Sequence, residues 1–111
     1  MTKEYFVRGK SIEELVKNHP NQIPVILTKN PGSVVPELSK KKYLVTKDIT
    51  VSQFIYFLRK IIKLMSSEAL FIFTSNKTLL AGQTKMETVY EKHKSEDSVL
   101  YITYSAENAF G

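Results

Sequence analysis

Few side chains in this chain could do chemistry of their own. It has no cysteine. That removes thiolate nucleophiles, thiolate metal sites and disulfides, and it fits a reducing compartment. His19 and His93 stand far apart in sequence with no third ligand at metal-binding spacing, so neither a metal centre nor a catalytic histidine is expected. There is no phosphate-binding loop and no nucleophile–base pair. The expectation is a protein without catalysis, metal or cofactor. What remains is charge. Lys40, Lys41, Lys42, Lys47, Arg59 and Lys63 crowd the middle of a chain whose formal net charge is +5. Such a face favours acidic partners: anionic lipid, acidic peptide flanks or nucleic acid. A purely solubilising surface accounts for the charge equally well. The tyrosines and phenylalanines fall on core-type positions of strands and helices, which argues against an RNA-stacking platform.

The elements that must position these residues follow from pattern. Ser11–Asn18 reads as a short helix with Ser11 as cap, Glu14 at capping-box spacing, and Ile12, Leu15 and Val16 on one face. His19-Pro20 ends it. Residues 22–29 and 42–46 read as strands, with Pro24 at a position facing no ladder partner. The connection 30–41 opens on the turn signal Asn30-Pro31-Gly32 and is long enough to be mobile or irregular. Over residues 51–65 apolar side chains recur at three and four behind a Thr50 cap, which predicts a helix. Residues 69–74 form a nearly continuous apolar strand, 84–93 a short helix, and 99–104 a last alternating strand.

Two strands, a helix, then two more strands is the β-grasp order, with one amphipathic helix across a mixed sheet. Phe54, Leu58, Ile61, Phe71 and Phe73 are the expected core. At 111 residues the chain fits one domain. It divides into a helical extension (1–21), a β-grasp core (22–104) and a flexible tail (105–111). No apolar run approaches the roughly 20 residues of a membrane span.

Several stretches match a known family in sequence as well as order: Gln22-Ile-Pro-Val-Ile26, Lys41-Lys-Tyr-Leu-Val45, Asp48-Ile-Thr-Val-Ser-Gln-Phe54, Ala69-Leu-Phe-Ile-Phe73, and Leu100-Tyr-Ile-Thr-Tyr-Ser105 with Phe110-Gly111. On these the chain resembles the ubiquitin-like modifiers of autophagy, the group that includes GABARAP and the microtubule-associated protein light chains. The resemblance runs from about Tyr5 to Gly111. It implies a ubiquitin-like α+β fold with a four-stranded mixed sheet and an N-terminal helical extension, shortened here. Thr46 stands where members usually have proline. Ser11 stands where an acidic residue often borders the peptide groove, and the paired prolines common near Met65-Ser66-Ser67 are missing.

The resemblance implies conjugation of Gly111 to phosphatidylethanolamine through thioesters on enzyme cysteines. Without a Cβ, a glycine carboxylate enters a narrow enzyme channel at low steric cost. It also implies docking of cargo receptors through aromatic-x-x-aliphatic motifs. Carried over by position, Leu15, Pro24, Ile26, Lys42, Leu44 and Val99 would line an aromatic pocket. Tyr43, Val45, Ile49, Phe54, Phe57 and Arg59 would line or border an aliphatic one. Both faces of the Tyr43–Val45 strand are apolar, which suits an edge to which a ligand strand is added. The implied partners are activating and conjugating enzymes, a processing and delipidating cysteine protease, cargo receptors and phosphatidylethanolamine membranes, with no nucleic acid. The implied location is the cytoplasm, and autophagosomal membranes once lipid is attached. The alternative is an unconjugated basic β-grasp domain that binds RNA or acidic protein surfaces.

Overall fold

The computed structural model describes residues 2–4, 12–65 and 67–106. The elements are β1 (Thr2–Glu4), α1 (Ile12–Asn18), β2 (Gln22–Lys29), β3 (Lys42–Thr46), α2 (Val51–Ile62), β4 (Phe71–Thr74), α3 (Met86–His93) and β5 (Leu100–Ser105).

Helix α2 organises the molecule, and both its ends are satisfied. Thr50 caps it: its hydroxyl accepts the Gln53 amide, while the Gln53 side chain accepts the Thr50 amide. The first two helical amides turn outward to the 82–84 loop, Val51 N–H to Thr84 C=O at 2.8 Å and Ser52 N–H to Gly82 C=O at 2.9 Å. No amide of the first turn is left without an acceptor. The expected helix ran to residue 65. It stops at Ile62 because Lys63 turns left-handed (φ 64°) and its amide closes the end on Arg59 and Lys60 carbonyls. Arg59 then donates to the Met65 carbonyl at 2.6 Å.

The sheet order is β1-β3-β2-β5-β4. β2 runs parallel to β5 and antiparallel to β3, and β4 runs antiparallel to β5. These four strands under α2 are the expected β-grasp sheet. β1 adds a short fifth strand, antiparallel on the outer edge of β3, in a stretch expected to be purely an extension to the helix. Its Thr-Lys-Glu sequence has no apolar alternation to announce it. The Ser11 cap lies outside the described residues. β5 takes in Ser105, which is buried, so the expected tail begins one residue later at the earliest. Residues 107–111 lie outside the described residues.

Alternation along the strands divides the apolar residues between two faces. Ile23, Val25, Leu27, Tyr43, Val45, Ile72, Leu100, Ile102 and Tyr104 meet Val51, Phe54, Leu58 and Ile62 of α2. Ile61 packs at the margin of this cluster. Phe71 is a correction. Because Ile72 pairs with Tyr104 on the α2 side, Phe71 and Phe73 turn to the other face. Phe73 is fully buried there, but Phe71 is half-buried.

The 30–41 connection is irregular, as expected, but it is pinned rather than loose. Val35 and Leu38 join the core. The Leu38 amide donates to the Tyr104 hydroxyl at 2.9 Å. The Ser33 hydroxyl accepts the Ala106 amide at 2.9 Å, and the Lys29 ammonium donates to the Ser33 carbonyl at 2.8 Å.

The candidate docking edge on strand β3

β3 is positioned by Pro24. In the β2–β3 ladder Pro24 lies opposite Leu44. Proline has no N–H, so this pair cannot exchange ladder bonds. The neighbouring bonds keep the same phase: Leu27 N–H to Lys41 C=O at 2.8 Å and Lys47 N–H to Asn21 C=O at 3.0 Å. Tyr43 and Val45 therefore bond inward to β2. The N–H and C=O of Leu44 point out of the sheet edge, as do those of Lys42.

Around this strand the two predicted residue sets, Arg59 apart, lie on opposite faces of the sheet. Pro24, Ile26, Lys42 and Leu44 share the face away from α2, since Pro24 pairs with Leu44 and Ile26 with Lys42. α1 packs on β2 and brings Leu15 to that side. Val99 stands at the entry of β5, beside Leu100, which pairs with Val25. Leu15, Leu44 and Val99 are buried without belonging to the α2 core. Ile26 is half-buried and Lys42 exposed.

On the α2 face Tyr43, Val45, Ile49 and Phe54 are all buried in the main core. Phe57 stays partly exposed, with its ring edge-on to Tyr43 at 5.8 Å and stacked on Phe54 at 6.3 Å. Arg59 sits elsewhere. Two residues beyond Phe57 it has turned about 200° around the helix. There it lines an open cavity of about 440 Å³ with Tyr56, Lys60, Lys63 and Leu64 at the C-terminal end of α2. The Lys60 ammonium lies 4.4 Å from the Tyr56 ring centre there. Lys47 lines a different cavity with Asn21, Thr46, Asp48 and Glu87. Lys40, Lys41 and Lys42 are exposed at the start of β3.

Two residues near Val99 escaped the pattern reading. The Asp97 carboxylate accepts the Val99 amide at 3.1 Å and the Tyr101 hydroxyl at 2.5 Å. The same hydrogen bond pushes the Tyr101 phenol above its ordinary range. Asp97 thus fixes the approach to Val99, through contacts that only the turn at Ser98 (φ 67°) creates. The third is Lys3, whose backbone faces Leu44 across the edge. Gly111 lies outside the described residues. Among those described, no group of metal-ligating side chains forms, and no helix is long and apolar enough to cross a membrane.

Residues 7–111 match the family described as "Autophagy protein Atg8 ubiquitin like". The chain is 46% identical over 111 residues to Autophagy-related protein 8e of Arabidopsis thaliana, covering 100% of this chain and 90% of that relative. It is 48% identical over 104 residues to Autophagy-related protein 8 of Schizosaccharomyces pombe, covering 94% and 85%. The crystal structure of Trypanosoma brucei ATG8 superposes with a TM-score of 0.81 at 40% identity, covering 89% of this chain and 84% of that one.

Proposed function

The chain belongs to the Atg8 family of ubiquitin-like autophagy proteins, and from that premise we propose that it is a conjugated modifier of the GABARAP and light-chain type. Its C-terminal Gly111 is joined to phosphatidylethanolamine, and the β3 edge docks cargo receptors and adaptors. It contributes no catalysis. With no cysteine in the chain, the thioester steps belong to the activating and conjugating enzymes, and removal of the lipid belongs to a cysteine protease. Residence on autophagosomal membranes then comes from the joined lipid, since two acyl chains anchor far more firmly than a basic patch.

The observation that carries the reading is the construction of β3. Its outward peptide groups at Lys42 and Leu44 lie between two apolar faces. In an extended peptide, residues three apart point to opposite faces. An aromatic-x-x-aliphatic segment laid along this edge therefore sends its aromatic residue toward Leu15, Pro24, Ile26, Leu44 and Val99. Its aliphatic residue goes toward Tyr43, Val45, Ile49, Phe54 and Phe57. Lys42 stands ready for an acidic flank.

The test is an ATP-driven assay with the activating and conjugating enzymes and phosphatidylethanolamine vesicles. The intact chain forms a thioester and becomes vesicle-bound. A chain lacking Gly111 keeps its fold and its peptide affinity but does neither. Should the glycine-less chain still be activated or anchored, conjugation through Gly111 is wrong. The unconjugated basic binding domain then becomes the better account.

A further inference from the structure

The docking edge is already occupied. β1 pairs antiparallel with β3, with Thr2 opposite Val45, Lys3 opposite Leu44 and Glu4 opposite Tyr43. Because Pro24 turns the Leu44 peptide group outward, the Lys3–Leu44 pair is the one that exchanges N–H···O=C bonds. We propose that β1 is a built-in competitor of the docking edge: the Thr2–Glu4 strand holds the Leu44 peptide group that an incoming peptide strand must take, and docking requires its displacement. The proposal rests on the docking reading above and deepens it by assigning that edge a regulated state.

The competition is geometric. A strand edge offers one row of outward N–H and C=O groups, and Leu44 supplies the centre of that row. A peptide added outside β1 would lie about 4.8 Å farther from β3, out of reach of both apolar faces. The competitor is also weak by construction. Its described residues number three, at the short end for a strand, and among them Lys3–Leu44 is the one bonded pair. A short strand of this kind scales the apparent affinity of every docked peptide by the fraction of time it is unpaired, without closing the edge. Every docked peptide is weakened by that same factor, so the weakest binders are the first to fall below half-occupancy at a given concentration.

Two variants test this on the full chain. Lys3→Pro removes the N–H that meets the Leu44 carbonyl and leaves every residue of both apolar sets unchanged. The pair Thr2→Cys with Val45→Cys occupies a non-bonded position of the β1–β3 ladder, whose Cα separation of about 4.5 Å suits a disulfide. The chain holds no other cysteine. The readouts are fluorescence anisotropy with a labelled acidic peptide containing Trp-x-x-Leu, and hydrogen exchange at the Leu44 amide. Lys3→Pro should bind the peptide about three- to tenfold more tightly and exchange Leu44 faster. Because Val45 belongs to the aliphatic set, the cysteine pair is read against itself: oxidation should remove the binding that the reduced pair retains, and reduction should return it to the reduced pair's own value. Equal peptide affinity in Lys3→Pro, with Leu44 exchange accelerated, would show that β1 pairs without competing and would overturn the proposal alone. Equal Leu44 exchange in both chains would overturn it as well, because the edge would then be open. A protected Leu44 amide with no peptide bound by any variant would bring down the docking reading together with the proposal.

Discussion

Leu44 and Tyr43 show how alternate residues of one strand are buried on opposite faces of the sheet. Leu44 is 2% exposed and Tyr43 7% exposed, so truncating both would cost several kcal/mol of stability along with any ligand contact. Lys42 is the cleaner probe, since it is exposed and its loss uncovers no core. Lys42→Glu should leave the unfolding midpoint within about 0.5 kcal/mol of the parent. It should weaken peptides with acidic flanks several-fold, and titrations at rising salt should narrow that gap as screening sets in. The phenylalanines of β4 give a second contrast. Phe73→Ala should cost roughly 3–5 kcal/mol in denaturant unfolding. Phe71→Ala, at a half-buried site, should cost roughly 1–2 kcal/mol. Equal losses would mean that Phe71 is buried as deeply as Phe73.

Among the elements, the 30–41 connection depends most on a single group. The buried Tyr104 hydroxyl is the acceptor for the Leu38 amide. Tyr104→Phe would orphan that amide and should cost about 1–3 kcal/mol, with faster hydrogen exchange across residues 33–41. Burial raises the Tyr104 phenol above its ordinary value, Leu38 opposing and Glu37 reinforcing. The folded state therefore favours the neutral phenol. Its contribution is complete below the unfolded value near 10 and is lost as pH rises through the higher folded value. Alkaline unfolding curves should be flat up to about pH 10 and fall beyond it, less steeply in Tyr104→Phe. This anchoring was not legible in the sequence, because the tyrosine and its partner amide are 66 residues apart. α2, β2 and β3 were legible, since their periods are local. β1 was not: three polar residues carry no period, and their partner strand begins beyond residue 40. The two residue sets around β3 came from resemblance. Arg59 stands apart from the others, turned away by a helical rotation that linear spacing hides.

At the scale of the whole molecule, the sheet is covered on both faces by different means. α2 seals one with a continuous apolar stripe and two satisfied ends. The other carries Pro24, Leu44, Val99 and Phe73, all buried, and α1 lays Leu15 toward part of it. The N-terminal segment thus does two separable things, with α1 covering a face and β1 covering an edge. Breaking β1 alone should leave global stability nearly unchanged, since Lys3→Pro removes one ladder hydrogen bond. Removing residues 1–18 should strip a fully buried leucine from the far face, a loss of about 2–3 kcal/mol of apolar burial. At the scale of a domain this size that lowers the melting temperature by about 10 °C. The shortened chain should also bind a hydrophobic dye that the intact one does not, because the uncovered patch is contiguous. Calorimetry of the parent, Lys3→Pro and the shortened chain separates the two roles. If the shortened chain melted with the parent, α1 would be an ornament on the fold, and Leu15 would have no place in a preformed docking face.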